Sequence, residues 1–569
     1  MTNERAAARS EAAVGTGAGP RAESPHPHHL PNPLYFTSTT QAEDAPPIMH
    51  LHPIDLLIVL VYVGGTIVAG LLARSAIHGI SDFLVAGRAL KTHMAVATMV
   101  STGLGLVTVM YFAQEGFVNG FSPFLVGVIA TVAHIIIGKT GFLVSRLRHL
   151  QVMTIPEMYE VKYSRGVRLL GGCILGLAGT LNMCLFPILG SKFVVGFTGM
   201  PADWVNYVMV AMLTIVVVYT LLGGMVSVVL TDFAQFILLA LGFVLGTYFI
   251  LDHPDLGWDT IVGSLERHKG ADAFDPIGNI SYGWTFVIYF IAISFVGIVW
   301  QPEMSRPLST EDSLVARRVF WIQGITSAGR AVIPMFWGCA AFAWTHLPSY
   351  TGAYAADGQS AVPEMLGQIL PVGVAGLLLA GMFAAFMSTH DSYLLAWSGV
   401  IVRDVMSPIK AMLAGSAQSR GTDDTWGGLS SEREIYWTRF CVIVLALLLA
   451  LFGMYFINRL PETAFKWMYL TGTIYFAGTV GTVVLGLYWS KANSVGAYCA
   501  LTLGAFGPLN FLVMSMVPDI APEAIRPFVE NSNLTNLASL VLGGLGMIVG
   551  SLLTQKSHPS RPLDFRDMN

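Results

Sequence analysis

The stretch Ala384-Ala385-Phe386-Met387-Ser388-Thr389-His390-Asp391-Ser392 lies inside an apolar run of membrane-spanning length. Hydroxyls, an imidazole and a carboxylate are expensive at that depth and mark a functional site by default. On a helix, Ser388, Asp391 and Ser392 share a face at i, i+3 and i+4, with Ala385 one turn before. Neutral oxygens joined by one carboxylate suit a hard monovalent cation, by the logic of oxygen cages for harder ions. In the competing reading the serines bond their own helix carbonyls, which leaves Asp391 unexplained. An intramembrane enzyme built on His390-Asp391 is disfavoured, because adjacent helical residues point about 100° apart. The chain also has no HExxH and no Ser/His partner set.

Three other segments carry unusual residues in apolar surroundings. Val100-Ser101-Thr102-Gly103-Leu104-Gly105-Leu106 places two glycines and two hydroxyl residues in mid-span. Such a segment either unwinds and turns carbonyls toward an ion, or lets helices pack closely. Asp232 sits about two turns into an apolar run, as a functional-site carboxylate or as an interfacial cap. Arg330 stands four residues before Pro334 near the middle of a span. A guanidinium there must face a cavity and find a partner. That partner is a substrate carboxylate held bidentately, or a structural acid among Asp232, Asp391 and Glu115.

The elements that must position these residues are membrane spans. Of 569 residues, 54% are hydrophobic and 12% charged, about half the charged share of an average globular domain. The net charge of −4 excludes a nucleic-acid binder that relies on a basic field. The 59 glycines suit closely packed membrane helices. Thirteen apolar runs follow one another: approximately 53–73, 92–113, 121–144, 167–197, 203–223, 226–251, 282–300, 317–346, 368–402, 436–458, 463–489, 493–517 and 535–554. The connections 252–281 and 403–435 read as loops with room for a short surface helix. Of the 31 Lys and Arg, nineteen fall in the loops and tail of one side and seven on the other. The positive-inside rule then puts the N-terminus outside and the C-terminus in the cytoplasm. Residues 1–52 read as a disordered tail without a signal-peptide core, its His26, His28 and His29 solvated rather than metal-binding. Cys173, Cys184, Cys339, Cys441 and Cys499 read as small buried hydrophobes.

Four motifs now carry a resemblance: Asp82-Phe83-Leu84-Val85-Ala86-Gly87-Arg88, Thr154-Ile155-Pro156-Glu157-Met158, Thr231-Asp232-Phe233-Ala234-Gln235 after Gly223-Gly224, and Ser388-Thr389-His390-Asp391-Ser392 after Ala384-Ala385. In that order, over about 53–515, the chain resembles the sodium/solute symporter family of sugar, proline, pantothenate, iodide and sialic-acid carriers. The resemblance implies an all-α membrane protein with a LeuT-like core of two inverted five-helix repeats. These would be 92–251 and 282–489, after a leading helix 53–73 and before peripheral helices 493–554 and a tail 555–569. The first helix of each repeat would be broken and the solute bound at mid-membrane.

It also implies sodium as the coupling ion. Its ligands would be the carbonyls of Ser101, Leu104 and Ala385 and the hydroxyls of Ser388 and Thr389. A second sodium would sit among Asp232, Ser388, Asp391 and Ser392. Sugar carriers of the family resemble this chain in having a basic residue at the spacing of Arg330 from Pro334, where it contacts substrate. The chain departs from them in having Thr108 and Gly127 where sugars need amide and acidic partners, and no Asn or Gln in 283–299. Expected roles are therefore substrate contact for Thr108 and Arg330, and gating for Tyr111 and Phe295, with Phe112 and Trp300 beside them. The function implied is sodium-coupled symport of a small organic solute by alternating access in an inner membrane, the solute bearing a carboxylate. A sugar symporter and a non-transporting sensor are the alternatives, and only about fifteen residues follow Thr554.

Overall fold

A computed structural model describes residues 51–73, 79–279, 282–352, 354, 357–413, 415, 430–456, 464–516 and 531–565. The three tail histidines, most of the 1–52 tail and much of the 403–435 connection lie outside the described residues. The described chain is helical, with Leu90 and Thr310 meeting in an isolated bridge. Among the described residues nine helices are long and apolar enough to cross a membrane, and up to eleven spans result when each of two bent pairs counts as one. The expected count of thirteen is therefore not reached on length and apolarity. Helices do form at the two remaining places, but Phe124–Thr140 has only 17 residues, and Ser313–Thr345 carries Arg330 in its middle. Large apolar side chains such as Leu57, Val244 and Leu451 cover the outer surface, as a bilayer requires.

Both bent pairs arise from local chemistry. Thr92–Gly103 and Leu106–Asn119 meet at 51°. At Leu104 (φ −101°, ψ 51°) and Gly105 (φ −69°, ψ 157°) the backbone leaves the helix. A Cβ on Gly105 would lie 2.2 Å from Thr389 Oγ1, so glycine is required for this close approach. Gly283–Val299 and Gln301–Leu308 meet at 52°. There Trp300 turns extended (ψ 121°) and Pro302 starts the second half-helix, where its missing N–H costs nothing. The expected span 282–300 thus ends at its own break, and the half-helix beyond is buried rather than a loop. Val205–Asp252 joins two spans across a kink at Gly224 (φ 51°), where a Cβ would strike the Phe83 ring at 2.5 Å.

Other motifs serve packing. Thr154 caps Ile155–Lys162 and also donates to Asp404 Oδ1 at 3.0 Å. Glu157 accepts from Arg403 Nε at 2.8 Å and lies 3.6 Å from Arg168, which donates to Asp404 at 2.8 Å. This buried network ties two early helices to the Ile401–Met406 turn. Arg148, Lys162, Arg306 and Arg403, which fall between the expected spans, and Arg168, at the edge of one, are all buried. Each charge finds carbonyl or carboxylate partners that make burial tolerable. Gly546 and Gly550 pack against Cys499 and Gly496 of the same chain. Cys173 is exposed on its helix, not buried as expected; no cysteine is disulfide-bonded among the described residues. The expected surface helix is Trp258–Lys269.

Asp55 illustrates how the leading helix docks. Its Oδ1 accepts from the Gly373 and Gly376 amides at 2.7 and 2.8 Å, capping the start of Val374–Val400. A buried carboxylate at a helix N-terminus satisfies orphan donors and complements the helix dipole. Asp55→Ala is expected to lower stability by about 1–2 kcal/mol, read as a drop in Tm of the purified protein.

Candidate functional site

The breaks of the two bent spans face each other across a cavity. Its walls come from both bent spans and from helices Phe124–Thr140, Arg165–Met183, Ser313–Thr345, Val374–Val400 and Ala464–Thr479. They surround about 1050 Å³ of empty space, the open mouth included. Tyr111, Trp300, Tyr393 and Tyr469 line it with Arg330 and Glu303. Arg330 Nη1 donates to the Gly103 carbonyl at 3.1 Å and lies 3.8 Å from Glu303 Oε1, each side chain 20% exposed. The guanidinium is therefore partnered by none of the acids expected from sequence. Its Nε is buried without a hydrogen-bond partner. His134 Nε2 and Asn182 Oδ1, from two other cavity-lining residues, are likewise unpartnered. Such orphaned groups are costly unless a ligand satisfies them.

Tyr111 and Thr108 stand in the wall as expected, Thr108 donating to Gly103 O at 3.4 Å. Tyr111 packs on Phe112 and Phe465. Phe295 does not reach the cavity. It points to Phe142 while its neighbours Ser294 and Gly297 face inward, because successive helical residues cannot share a face. Trp300, at the break, holds Tyr393 OH at 3.2 Å through its indole N–H. Gly127 packs against Ala331 and is not part of the cavity lining.

Behind this cavity the Val374–Val400 helix meets the first break. Thr389, itself in the cavity wall, donates to the Thr102 carbonyl at 3.2 Å. Ala385, Leu104 and Ser101 are buried nearby in the same two elements, and Ser101 Oγ has no partner. Ser388 donates to Asp232 Oδ1 at 2.5 Å. A hydroxyl that gives its proton to a carboxylate keeps its lone pairs for a cation.

One layer deeper, Asp232 also accepts from Thr98 and pairs with Arg306 Nη2 at 3.7 Å. Arg306 donates to Ser392, which donates to Asp391 Oδ1 at 2.9 Å, while Tyr219 donates to the other Asp391 oxygen. The expected second-sodium residues Asp232, Asp391 and Ser392 are thus brought together, but around a guanidinium that is 0% exposed. Thr102 Oγ1 lies 3.2 Å from Ser392 Oγ, linking this cluster to the first break. His390 turns away, its Nδ1 2.7 Å from Phe386 O of its own helix.

Glu303, Arg306, Tyr219 and His134 escaped the sequence reading. The signal for the first two was present. A second broken span should continue past its break, and Gln301-Pro302-Glu303-Met304-Ser305-Arg306 continues it.

The sequence model described as the sodium:solute symporter family matches residues 83–504. The chain belongs to that family. It is 24% identical to a sodium/proline symporter of Salmonella typhimurium over 87% of this chain and 92% of that protein. It is 24% identical to a sodium/pantothenate symporter of Haemophilus influenzae over 88% and 96%. The structure of a sodium-coupled sialic acid symporter, solved substrate-bound and outward-open, superposes with a TM-score of 0.72 at 18% identity, covering 90% of this chain and all of that one. The fold is accordingly LeuT-like, with inverted repeats. As a member of the sodium:solute symporter family, this multi-pass membrane protein couples movement of a small organic solute to sodium.

Proposed function

We propose that the solute carries a carboxylate and binds in the central cavity against Arg330, with Thr108 beside it and Tyr111 closing over it. The observation that carries this reading is the Arg330 guanidinium itself: partly exposed to the cavity, held in place by the Gly103 carbonyl, its Nε without a partner. A fork-shaped cation with a free donor matches a carboxylate. The relatives named for pantothenate and sialic acid support a carboxylate solute. Sodium binds behind it, between the carbonyls of Ser101, Leu104 and Ala385 and the hydroxyls of Ser388 and Thr389. The buried cluster of Asp232, Asp391 and Ser392 is a second cation position, in which Arg306 already supplies one positive charge.

Coupling follows from shared elements. Thr389 faces the cavity and touches Thr102 at the first break, so sodium there draws together two walls of the solute site. Each ligand then raises the affinity for the other by the same factor. Alternating access would move the repeats 92–251 and 282–489 around this point, flanked by helices 53–73 and 493–554. The orientation is N-terminus outside, C-terminus in the cytoplasm of an inner membrane. The excess of basic residues on that side supports it even with the five buried ones removed.

The test is thermal unfolding of the purified protein with sugars, carboxylates, amino acids and sialic acids, in sodium or choline. A ligand at about 100 times its Kd stabilises by about 2.7 kcal/mol. A shift that needs sodium and a carboxylate solute together is expected. A sodium-dependent shift with sugars lacking a carboxylate would replace this reading by a sugar symporter.

A further inference from the structure

Glu303 changes what the cavity can accept. It enters the wall from the half-helix Gln301–Leu308, just beyond the second break. Its carboxylate answers Arg330 at 3.8 Å, beyond hydrogen-bond length. Both side chains are 20% exposed and both line the same cavity. The site therefore presents an anion and a cation side by side, neither closed on the other.

We propose that the carried solute is a compact zwitterion, with a carboxylate on Arg330 and an ammonium on Glu303. This rests on the carboxylate reading above and deepens it. A simple carboxylate seated on Arg330 would bring its charge within a few ångströms of Glu303, where like charges repel. A simple amine on Glu303 would meet Arg330 in the same way. A solute with both charges satisfies both walls at once. The faces of Trp300, Tyr393 and Tyr469 complement a cationic nitrogen further. The 3.8 Å between the wall charges sets the spacing. An α-amino acid, whose nitrogen and carboxyl carbon are about 2.5 Å apart across two bonds, fits a pair this close. A long ω-amino acid holds its charges too far apart to match. Among the α-amino acids the aromatic lining favours an apolar side chain.

The experiment compares matched ligands on the full-length protein in sodium, by thermal unfolding and by sodium-driven uptake into proteoliposomes. The panel holds α-amino acids, the same skeletons without the nitrogen, the same skeletons without the carboxylate, and ω-amino acids of four or more carbons. α-Amino acids are expected to act at about tenfold lower concentration, or less, than either truncated series. Glu303→Gln and Glu303→Asp control for folding through the stabilisation by sodium alone. In Glu303→Gln the preference for the nitrogen-bearing series should fall to near unity, and Glu303→Asp should retain part of it. Carboxylates that bind equally with and without the nitrogen would overturn the zwitterion and leave the carboxylate reading standing. Binding by none of this panel, with a sodium-dependent shift only from the uncharged sugars of the thermal-unfolding test above, would overturn both. A preference for α-amino acids that survives in Glu303→Gln would remove Glu303 from recognition and sink the proposal.

Discussion

Arg330→Ala is expected to abolish sodium-driven solute uptake while the protein still folds and still responds to sodium. Truncating one partner of a desolvated, hydrogen-bonded charge pair removes about 2–5 kcal/mol, which is about thirtyfold to several thousandfold in affinity. The loss has two sources. The solute carboxylate loses its forked donor, and Glu303 is left as an uncompensated anion beside it. Arg330→Lys separates these sources. Lysine restores the charge opposite Glu303 but not the fork, so uptake should recover only in part. The measurement is the solute concentration for half-maximal uptake in proteoliposomes, alongside the melting shift from sodium alone. Wild-type uptake by Arg330→Ala would remove the residue from solute recognition. Loss of the sodium shift together with uptake would mean that the residue supports the first break through Gly103 rather than the solute.

The second large effect is expected at Ser388 and Thr389. Hydrogen bonds to charged groups are worth about 1.5–3 kcal/mol, and a neutral oxygen ligand to sodium belongs to the same class. Ser388→Ala and Thr389→Ala should each raise the sodium concentration for half-maximal stabilisation by about tenfold or more. Thr389→Ser keeps the hydroxyl and should restore most of the affinity. Because coupling is reciprocal, each alanine variant should also weaken solute binding at fixed sodium, and high sodium should recover it. That recovery distinguishes a sodium ligand from a residue that merely packs. Ser388→Ala also takes a donor from Asp232, leaving Thr98 and Arg306 on that carboxylate. A sodium response unchanged in both alanine variants would place the ion elsewhere, with the Asp232 cluster the next place to look.

The arrangement gives each break a different task. The first break, at Leu104-Gly105, turns backbone toward Thr389 and toward Arg330, so it touches both the proposed ion site and the solute site. The second, at Trp300, supplies aromatic wall, then Glu303 for the cavity and Arg306 for the buried carboxylates. Movement at either break would therefore be felt at two charged centres. Charge balance in the membrane interior links them more strongly than apolar contact alone.

Membrane residence, most of the spans, the first break and the Ser388–Ser392 cluster were legible in the linear chain because each depends on local pattern. Apolar runs of bilayer length, glycines in mid-span and polar groups at helical spacing need no knowledge of neighbours. Four short motifs in order were enough to indicate the family and sodium. Hydropathy misled where charge was buried. Glu303 and Arg306 lowered the apolarity of their segment, so the seventh span was expected to stop at 300 and both residues to lie in a loop. Phe295 was expected at the cavity because only the rotation of its helix decides which aromatic faces inward. The partner of Arg330 was likewise undetermined, since it lies 27 residues earlier on a different helix. Pairing across helices, and the sign of the charge opposite each buried group, come from the three-dimensional packing of helices that local periodicity does not encode. Membrane residence and the coupling ion are thus indicated by local sequence, whereas the solute chemistry proposed here depends on which side chains the folded helices bring within a few ångströms of Arg330.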